Sequence, residues 1–368
     1  MKTATLSASM RLLVLLLAAF ACAAHAQPAT DHAALAKESS FVMRDFTFAS
    51  GEKLPELRIN YATWGEPKRG SDGKINNAIL LNAGTMGPWR GFAAAWWANR
   101  MFGPGQPLDL GKYFIIAPDN IGAGKSSKPS DGMGAGFPKY RTEDVVRSQY
   151  RLVTESLGIE KLVAVIGISY GGRQAWQWAV QYPDTVAGVV PLVASPFPNA
   201  GRRGMQDFLS AAIITSDPTW NGGSYKEQPR NFAFALMAYF MSTDGPGNLW
   251  DAAPTRERSF AYLPEIAGRF TKLWDANDFL YQMRVNDGFD AFAQIERVKA
   301  RVLMINMAGD EMVPMQLGHA DKVIEKLGSR AEYLLVKEAA GRGHLAVAFT
   351  SQVYAPKIGE FVAKLKGE

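Results

Sequence analysis

Cysteine is almost missing from this chain. Cys22 is the only one among 368 residues, so no disulfide can join two points of one molecule and a thiolate zinc site has no ligand set. Histidine is scarce as well, with four residues, which leaves few candidates for proton transfer near neutral pH. Neither charge sign is in large excess: 40 basic against 35 acidic side chains give a formal +5. The basic residues form no blocks, so the balance reads as a solubility surface and not as a nucleic-acid footprint. No apolar run after residue 26 is long enough to span a bilayer, and there is neither an internal repeat nor a low-complexity tract. What is present, 47% hydrophobic and 20% charged residues, suits a globular protein with a substantial core and excludes disordered or collagen-like structure.

Residues 1–26 carry Lys2 and Arg11, then the apolar run Leu12 to Ala24, then Ala24-His25-Ala26 before Gln27. That is the three-part grammar of a cleaved secretory signal, and the run is short for a membrane anchor. Cleavage would remove Lys2, Arg11, Cys22 and His25, leaving 38 minus 35, or +3, and only His32, His319 and His344. The expectation is an exported protein, periplasmic or secreted, with no stable membrane insertion and no nucleic-acid partner.

After residue 40, apolar periodicity and turn residues alternate in the manner of an α/β fold with a mostly parallel sheet. Strands are predicted over Leu57 to Thr63, Ala78 to Asn82, Tyr113 to Ala117, Leu162 to Ile166, Val186 to Leu192, Arg301 to Met307 and Ala331 to Val336. Helices are predicted over Thr142 to Leu157, opened by Thr142-Glu143-Asp144, and over Arg173 to Gln181, stopped by Tyr182-Pro183. Strand signals vanish between about Phe197 and Phe292. This stretch is rich in aromatics and Met, with a helical run from Asn231 to Met241 and turns at Asp217-Pro218 and Gly245-Pro246-Gly247. The implied organisation is a core over 27–196, an inserted helical cap over 197–292, and the second part of the core over 293–368.

The sharpest chemical signal is Val163-Ala164-Val165-Ile166-Gly167-Ile168-Ser169-Tyr170-Gly171-Gly172. A buried strand running into G-x-S-x-G and then a helix is the setting of a nucleophile elbow, where small residues permit a tight bend that projects the serine at a helix N-terminus. A serine needs a base, and the base an orienting carboxylate. In this arrangement the acid follows a late strand and the histidine follows the acid. Asp310 comes after the strand Arg301 to Met307, and His344 after the strand ending near Val336. His32 precedes the folded region, and His319 sits in a helical stretch with Asp321. Glu311, adjacent to Asp310, is the rival acid.

An oxyanion hole requires the amide after the nucleophile, here Tyr170, and one from the loop after an earlier strand. Gly84 in Asn82-Ala83-Gly84-Thr85-Met86-Gly87 is the choice, with Thr85 as the alternative. Met86 and Trp89 are expected near the substrate pocket, together with cap aromatics, which packing beneath the cap would explain equally well. Asp119-Asn120-Ile121-Gly122-Ala123-Gly124-Lys125-Ser126 has the look of a phosphate-binding loop, but its first position must be glycine and is Asp119. No cofactor and no metal are expected.

With these residues in place, the chain resembles the homoserine O-acetyltransferase family of α/β-hydrolases from about Phe46 onward. The resemblance rests on Tyr61-Ala62-Thr63-Trp64-Gly65, Pro104-Gly105-Gln106-Pro107-Leu108-Asp109, Val145-Val146-Arg147-Ser148-Gln149 and Gly167 to Pro183. In the cap it rests on Ala212-Ile213, Asp217-Pro218-Thr219-Trp220-Asn221-Gly222-Gly223 and Trp274-Asp275-Ala276-Asn277. It implies the triad Ser169, Asp310 and His344, the oxyanion pair Gly84 and Tyr170, and a homodimer formed through the cap. Two departures concern the substrate. The transferases place an aspartate directly after the catalytic histidine, where this chain has Leu345, and an arginine before the Ala-Ile pair, where Ser210 stands. Arg202 and Arg203 lie nearby in sequence. An amino-acid zwitterion left without both partners loses roughly 1–3 kcal/mol per unsatisfied group, and an export signal separates the enzyme from cytoplasmic acetyl-CoA. The resulting expectation is a serine hydrolase acting on a small-molecule carboxylic ester or lactone. An acyltransferase using another donor and acceptor is the alternative, and a non-catalytic binding protein a third.

Overall fold

The computed structural model describes residues 30–337 and 340–366, so the segment read as an export signal lies outside the described residues. The chain divides after Asp31, and the unit beginning at His32 holds the sheet and its helices. Among the described residues, eight strands form one sheet: β1 (Lys37–Thr47), β2 (Lys53–Trp64), β3 (Ala78–Asn82), β4 (Phe114–Pro118), β5 (Leu162–Ile168), β6 (Val186–Leu192), β7 (Arg301–Met307) and β8 (Ala331–Val336). Their order is β1-β2-β4-β3-β5-β6-β7-β8. β1 pairs antiparallel with β2 and β2 antiparallel with β4, whereas every pair from β4 to β8 is parallel.

The central strands have apolar sequences because both faces are covered. Every residue of β3 and β4 is buried. Alternation splits them between two layers: Ala78 and Leu80 join a cluster with Val165, Trp176 and Trp178, while Ile79 and Leu81 join one with Trp97, Tyr354 and Phe361. Helices α1 (Ala95–Met101), α2 (Thr142–Arg151) and α3 (Tyr170–Gln181) supply part of these layers.

Five helices fill the connection from β6 to β7: α4 (Gly201–Thr215), α5 (Phe232–Thr243), α6 (Pro246–Ala252), α7 (Arg256–Phe270) and α8 (Ala276–Arg284). They enclose a third cluster that includes Ile214, Phe232, Leu236 and Phe279. In α5 the buried residues Phe232, Ala235, Leu236 and Tyr239 follow one helical stripe, while Phe234 and Met241 face outward. The cap phrases of the sequence turn out to bind one another. Trp220 Nε1 donates to Asn277 Oδ1 (2.9 Å), Asn277 Nδ2 donates to the Gly223 carbonyl (2.9 Å), and the Asp275 carboxylate caps α8 while accepting from Tyr225. The last helices are α9 (His319–Leu327), α10 (Ala346–Phe349) and α11 (Ser351–Lys366).

β3, β6, β7 and β8 keep their predicted limits. β1 was not predicted: it is an edge strand with most side chains exposed, so it shows no apolar alternation. β2 begins earlier than predicted, at Lys53, β4 starts one residue later, at Phe114, and α3 starts at Tyr170. The helix predicted to run to Leu157 switches at Leu152 from α to π hydrogen bonding, as a π-helix over Leu152–Ser156.

Candidate active site

The site forms where parallel strands end. β5 stops at Ile168, Ser169 turns the chain, and α3 begins at Tyr170. Ser169 has φ +57° and ψ −116°, a region costing a residue with a Cβ of order 1–3 kcal/mol. Its surroundings hold it there. The Ser169 amide donates to the Leu192 carbonyl at 2.9 Å, and three glycines let the backbones meet. A Cβ on Gly167 would lie 1.9 Å from the Gly171 carbonyl oxygen, one on Gly171 1.9 Å from that of Asn82, and one on Gly172 2.5 Å from Ala194 Cβ. No larger residue fits these positions without moving the elbow.

The structure brings Ser169, His344 and Asp310 together. His344 Nε2 stands 2.8 Å from Ser169 Oγ, and His344 Nδ1 stands 2.7 Å from Asp310 Oδ2. Asp310 follows the end of β7, and its other oxygen accepts the amides of Met312 (2.8 Å) and Val313 (3.2 Å), which fixes the carboxylate plane. With that carboxylate ionised, Nδ1 carries the proton and Nε2 is the acceptor facing the serine hydroxyl. Asp310 and His344 are buried, which shields the Nδ1–Oδ2 bond from water.

The rivals go elsewhere. Glu311 points away and pairs with Arg202 at the surface. His319 opens α9, where Nδ1 meets Ser195 Oγ at 2.8 Å and the ring stacks on Phe197 at 4.1 Å. His32 is buried against Phe102, its carbonyl accepting Trp64 Nε1 at 2.7 Å.

Tyr170 is the first residue of α3, so its amide has no partner within the helix. Its phenol is buried, which pushes it above the usual tyrosine value. Gly84 faces the nucleophile, since a Cβ there would stand 3.6 Å from Ser169 Cβ. Gly84 and Thr85 both line the cavity in front of Ser169.

That cavity holds about 480 Å³. Tyr239 and Phe240 of α5, Phe270 of α7 and Trp274 form its cap side, and Ile168, Leu345, Val347 and Phe349 its core side. The cap aromatics also pack on one another, Phe270 and Trp274 at 4.5 Å and Phe240 and Phe270 at 4.6 Å, so wall and packing are one set of residues. A polar corner of Thr243, Asp244, Asn248 and Tyr262 closes the cap side. Sequence reasoning missed these four, although the turn Gly245-Pro246-Gly247 lies among them.

The pocket roles expected for Met86 and Trp89 are corrected by the structure. Neither lines the cavity. Met86, at φ +56°, is buried in the cap cluster and anchors the Gly84–Gly87 turn there. Trp89 is drawn into the core by its amide bond to Asp119 (2.7 Å) and packs on Trp64 at 5.6 Å. The glycine-rich loop after β4 is organised around that aspartate. The buried Asp119 carboxylate accepts from Asn60 (2.8 Å) and the Lys125 amide (2.9 Å), and Lys125 Nζ pairs with Glu38 at 2.8 Å. Lys125 is the main reason that Glu38 is held down to about 2. The loop's would-be phosphate groups thus serve the fold. Among the described residues, no group of three or more His, Cys, Asp or Glu is arranged to hold a metal ion, and no helix is long and apolar enough to cross a membrane.

Comparison with known proteins agrees with this fold. Residues 78–320 match the family model described as alpha/beta hydrolase fold. The chain is 30% identical to a homoserine O-acetyltransferase of Geotalea uraniireducens over 363 residues, covering 86% of this chain and 94% of that protein. A solved homoserine O-acetyltransferase from Bacillus anthracis superposes with a TM-score of 0.78 at 26% identity, covering 89% of this chain and 98% of the other. An acetylester hydrolase from Corynebacterium glutamicum gives 0.73 at 23% identity, covering 90% and 96%.

Proposed function

The chain belongs to the homoserine O-acetyltransferase family of α/β-hydrolase enzymes, and from that premise we propose that it is a serine hydrolase cleaving a carboxylic ester or lactone. One observation carries the reading: Ser169 Oγ, His344 and Asp310 form a continuous hydrogen-bonded line at 2.8 and 2.7 Å, opening into a largely apolar cavity. In the proposed reaction Nε2 of His344 takes the Ser169 proton as Oγ attacks the carbonyl carbon. The Tyr170 amide, with that of Gly84 or Thr85, receives the oxyanion. His344 gives its proton to the departing alkoxide, then draws one from water, whose oxygen attacks the acyl-enzyme, and the acid is freed as His344 returns that proton to Ser169 Oγ.

The surroundings favour water over homoserine as acceptor. Leu345, next to the histidine, is apolar and lines the cavity, whereas Ser210 is buried in α4 and does not reach it. Arg202 and Arg203 are taken up by Glu311 and Asp207. Acyl transfer is the second reading, supported by the full-length likeness to transferases. Short-chain p-nitrophenyl esters separate the two. Steady hydrolysis that disappears in Ser169→Ala is expected. Hydrolysis surviving that substitution sinks the nucleophile, and a burst that turns over only when an alcohol is added favours transfer.

The proposal extends to the enzyme's setting. The tripartite segment 1–26 supports export to the periplasm or beyond, with cleavage before Gln27, and mass measurement of the exported protein tests it. Apolar side chains left exposed on the cap, among them Met205, Phe208, Phe234, Trp250 and Phe260, support a homodimer formed through that face.

A further inference from the structure

The loop carrying His344 has little of its own to hold it. Gly341 and Gly343 flank Arg342, and Gly343 sits at φ +57°, ψ −137°. Two glycines in three residues offer no side chains to lock the backbone, yet the base must present Nε2 to Ser169 within a few tenths of an ångström.

The restraint comes from the cap, about a hundred residues earlier in the sequence. The turn at Asp244–Gly247 lies directly on the histidine loop, backbone against backbone. A Cβ on Gly245 would stand 2.2 Å from the Gly343 amide nitrogen and 2.3 Å from the Gly341 carbonyl oxygen, and one on Gly343 2.8 Å from Gly245 Cα. Side-chain bonds then fix the register. Arg342 donates to Asn248 Oδ1 at 2.9 Å. Asn248 Nδ2 lies 2.8 and 2.7 Å from the two oxygens of Asp244, which also accepts the Gly245 amide at 3.0 Å. The Arg342 guanidinium lies over the Phe349 ring at 4.2 Å. Each group uses what it has to offer: the amide of Asn248 presents an acceptor to the cation and a donor to the carboxylate, so one side chain joins two opposite charges.

We propose that the cap segment Asp244–Asn248 is a positioning element for the general base, with Asn248 and Arg342 as positioning residues. This rests on the reading of His344 as the base of Ser169. Asp244, Asn248, His344, Leu345 and Phe349 all line one cavity, so a substrate seated under the cap meets both the base and the element that aims it. The cap therefore contributes to reactivity as well as to the shape of the pocket.

The test uses the full chain and three readings: kcat and KM on p-nitrophenyl acetate per titrated active site, the rate of covalent labelling by a fluorophosphonate, and Tm. Asn248→Ala and Arg342→Ala are expected to lower kcat and the labelling rate together, on the order of tenfold or more, with KM moving less than about twofold. Arg342→Lys, whose ammonium can still donate to Asn248 Oδ1, should recover part of the loss. Arg258→Ala, which breaks an exposed ion pair on α7, should leave both rates unchanged. Parent rates per site in Asn248→Ala and Arg342→Ala, with only Tm lowered, would overturn the proposal, as would a rise in KM alone. Labelling and hydrolysis that persist in Ser169→Ala would overturn the reading of the nucleophile and the proposal with it. The two failures are distinguishable because they appear in different variants.

Discussion

Asp310 and Glu311 are neighbours with opposite fates, and the cause is local. The residues after β7 bend so that the amides of Met312 and Val313 point back at one Asp310 oxygen while the other faces His344. The next side chain leaves toward Arg202. Asp310→Asn should therefore reduce kcat by about 10³–10⁴-fold, because an amide can present an N–H to Nδ1 and so favour the wrong tautomer. Glu311→Gln, which loses only a surface pair, should change kcat little, and steady-state kinetics on the two variants checks the contrast. In the sequence Asp310 is the choice and Glu311 its rival, because adjacent acids share one motif position. His344 was easier to single out, since chain order and scarcity left it almost no competition. Trp89 was misjudged for a physical reason: its place is set by Asp119, 30 residues away, and no local pattern announces such a bond.

At the scale of elements, the central parallel strands were legible because burial on both faces demands unbroken apolar runs, and β1 was not because most of its side chains are exposed. The cap's aromatics could be read as helical, while their double duty as packing and wall depends on how α5 and α7 face each other. One joint between elements carries a pH signature. Asp278 of α8 accepts the Ser130 amide (2.8 Å) and hydroxyl (2.7 Å) from the loop after β4. Burial raises its pKa to about 7, the two Ser130 bonds and Lys128 opposing and Asp275 reinforcing the shift. An acid raised in the folded state stays protonated there while its unfolded counterpart ionises. Stability is therefore greatest below the unfolded value and falls as pH rises toward 7. Tm should drop between pH 5 and pH 8, and Asp278→Asn, which can still accept from the amide, should flatten that slope by about a few degrees. An unchanged slope would mean that the carboxyl is not the group responsible.

For the whole molecule, the exposed apolar side chains of the cap make the association state the first quantity to measure. Light scattering is expected to give twice the chain mass, and Phe208→Glu with Trp250→Glu, both at exposed positions, should give the single-chain mass without lowering Tm. A single-chain mass for the parent protein would remove the dimer from the proposal. The path of the chain has another consequence, which concerns time. Ser169 and His344 stand 175 residues apart in sequence, and β6, the whole cap, β7 and β8 lie between them. A ribosome that has just finished the elbow has made a serine with no base, and it stays inert until the last strands and the histidine loop have been added and folded. Refolding from denaturant should show the same order, with fluorophosphonate labelling appearing after most of the far-ultraviolet circular dichroism has returned. Labelling that keeps pace with the earliest helical signal would contradict this.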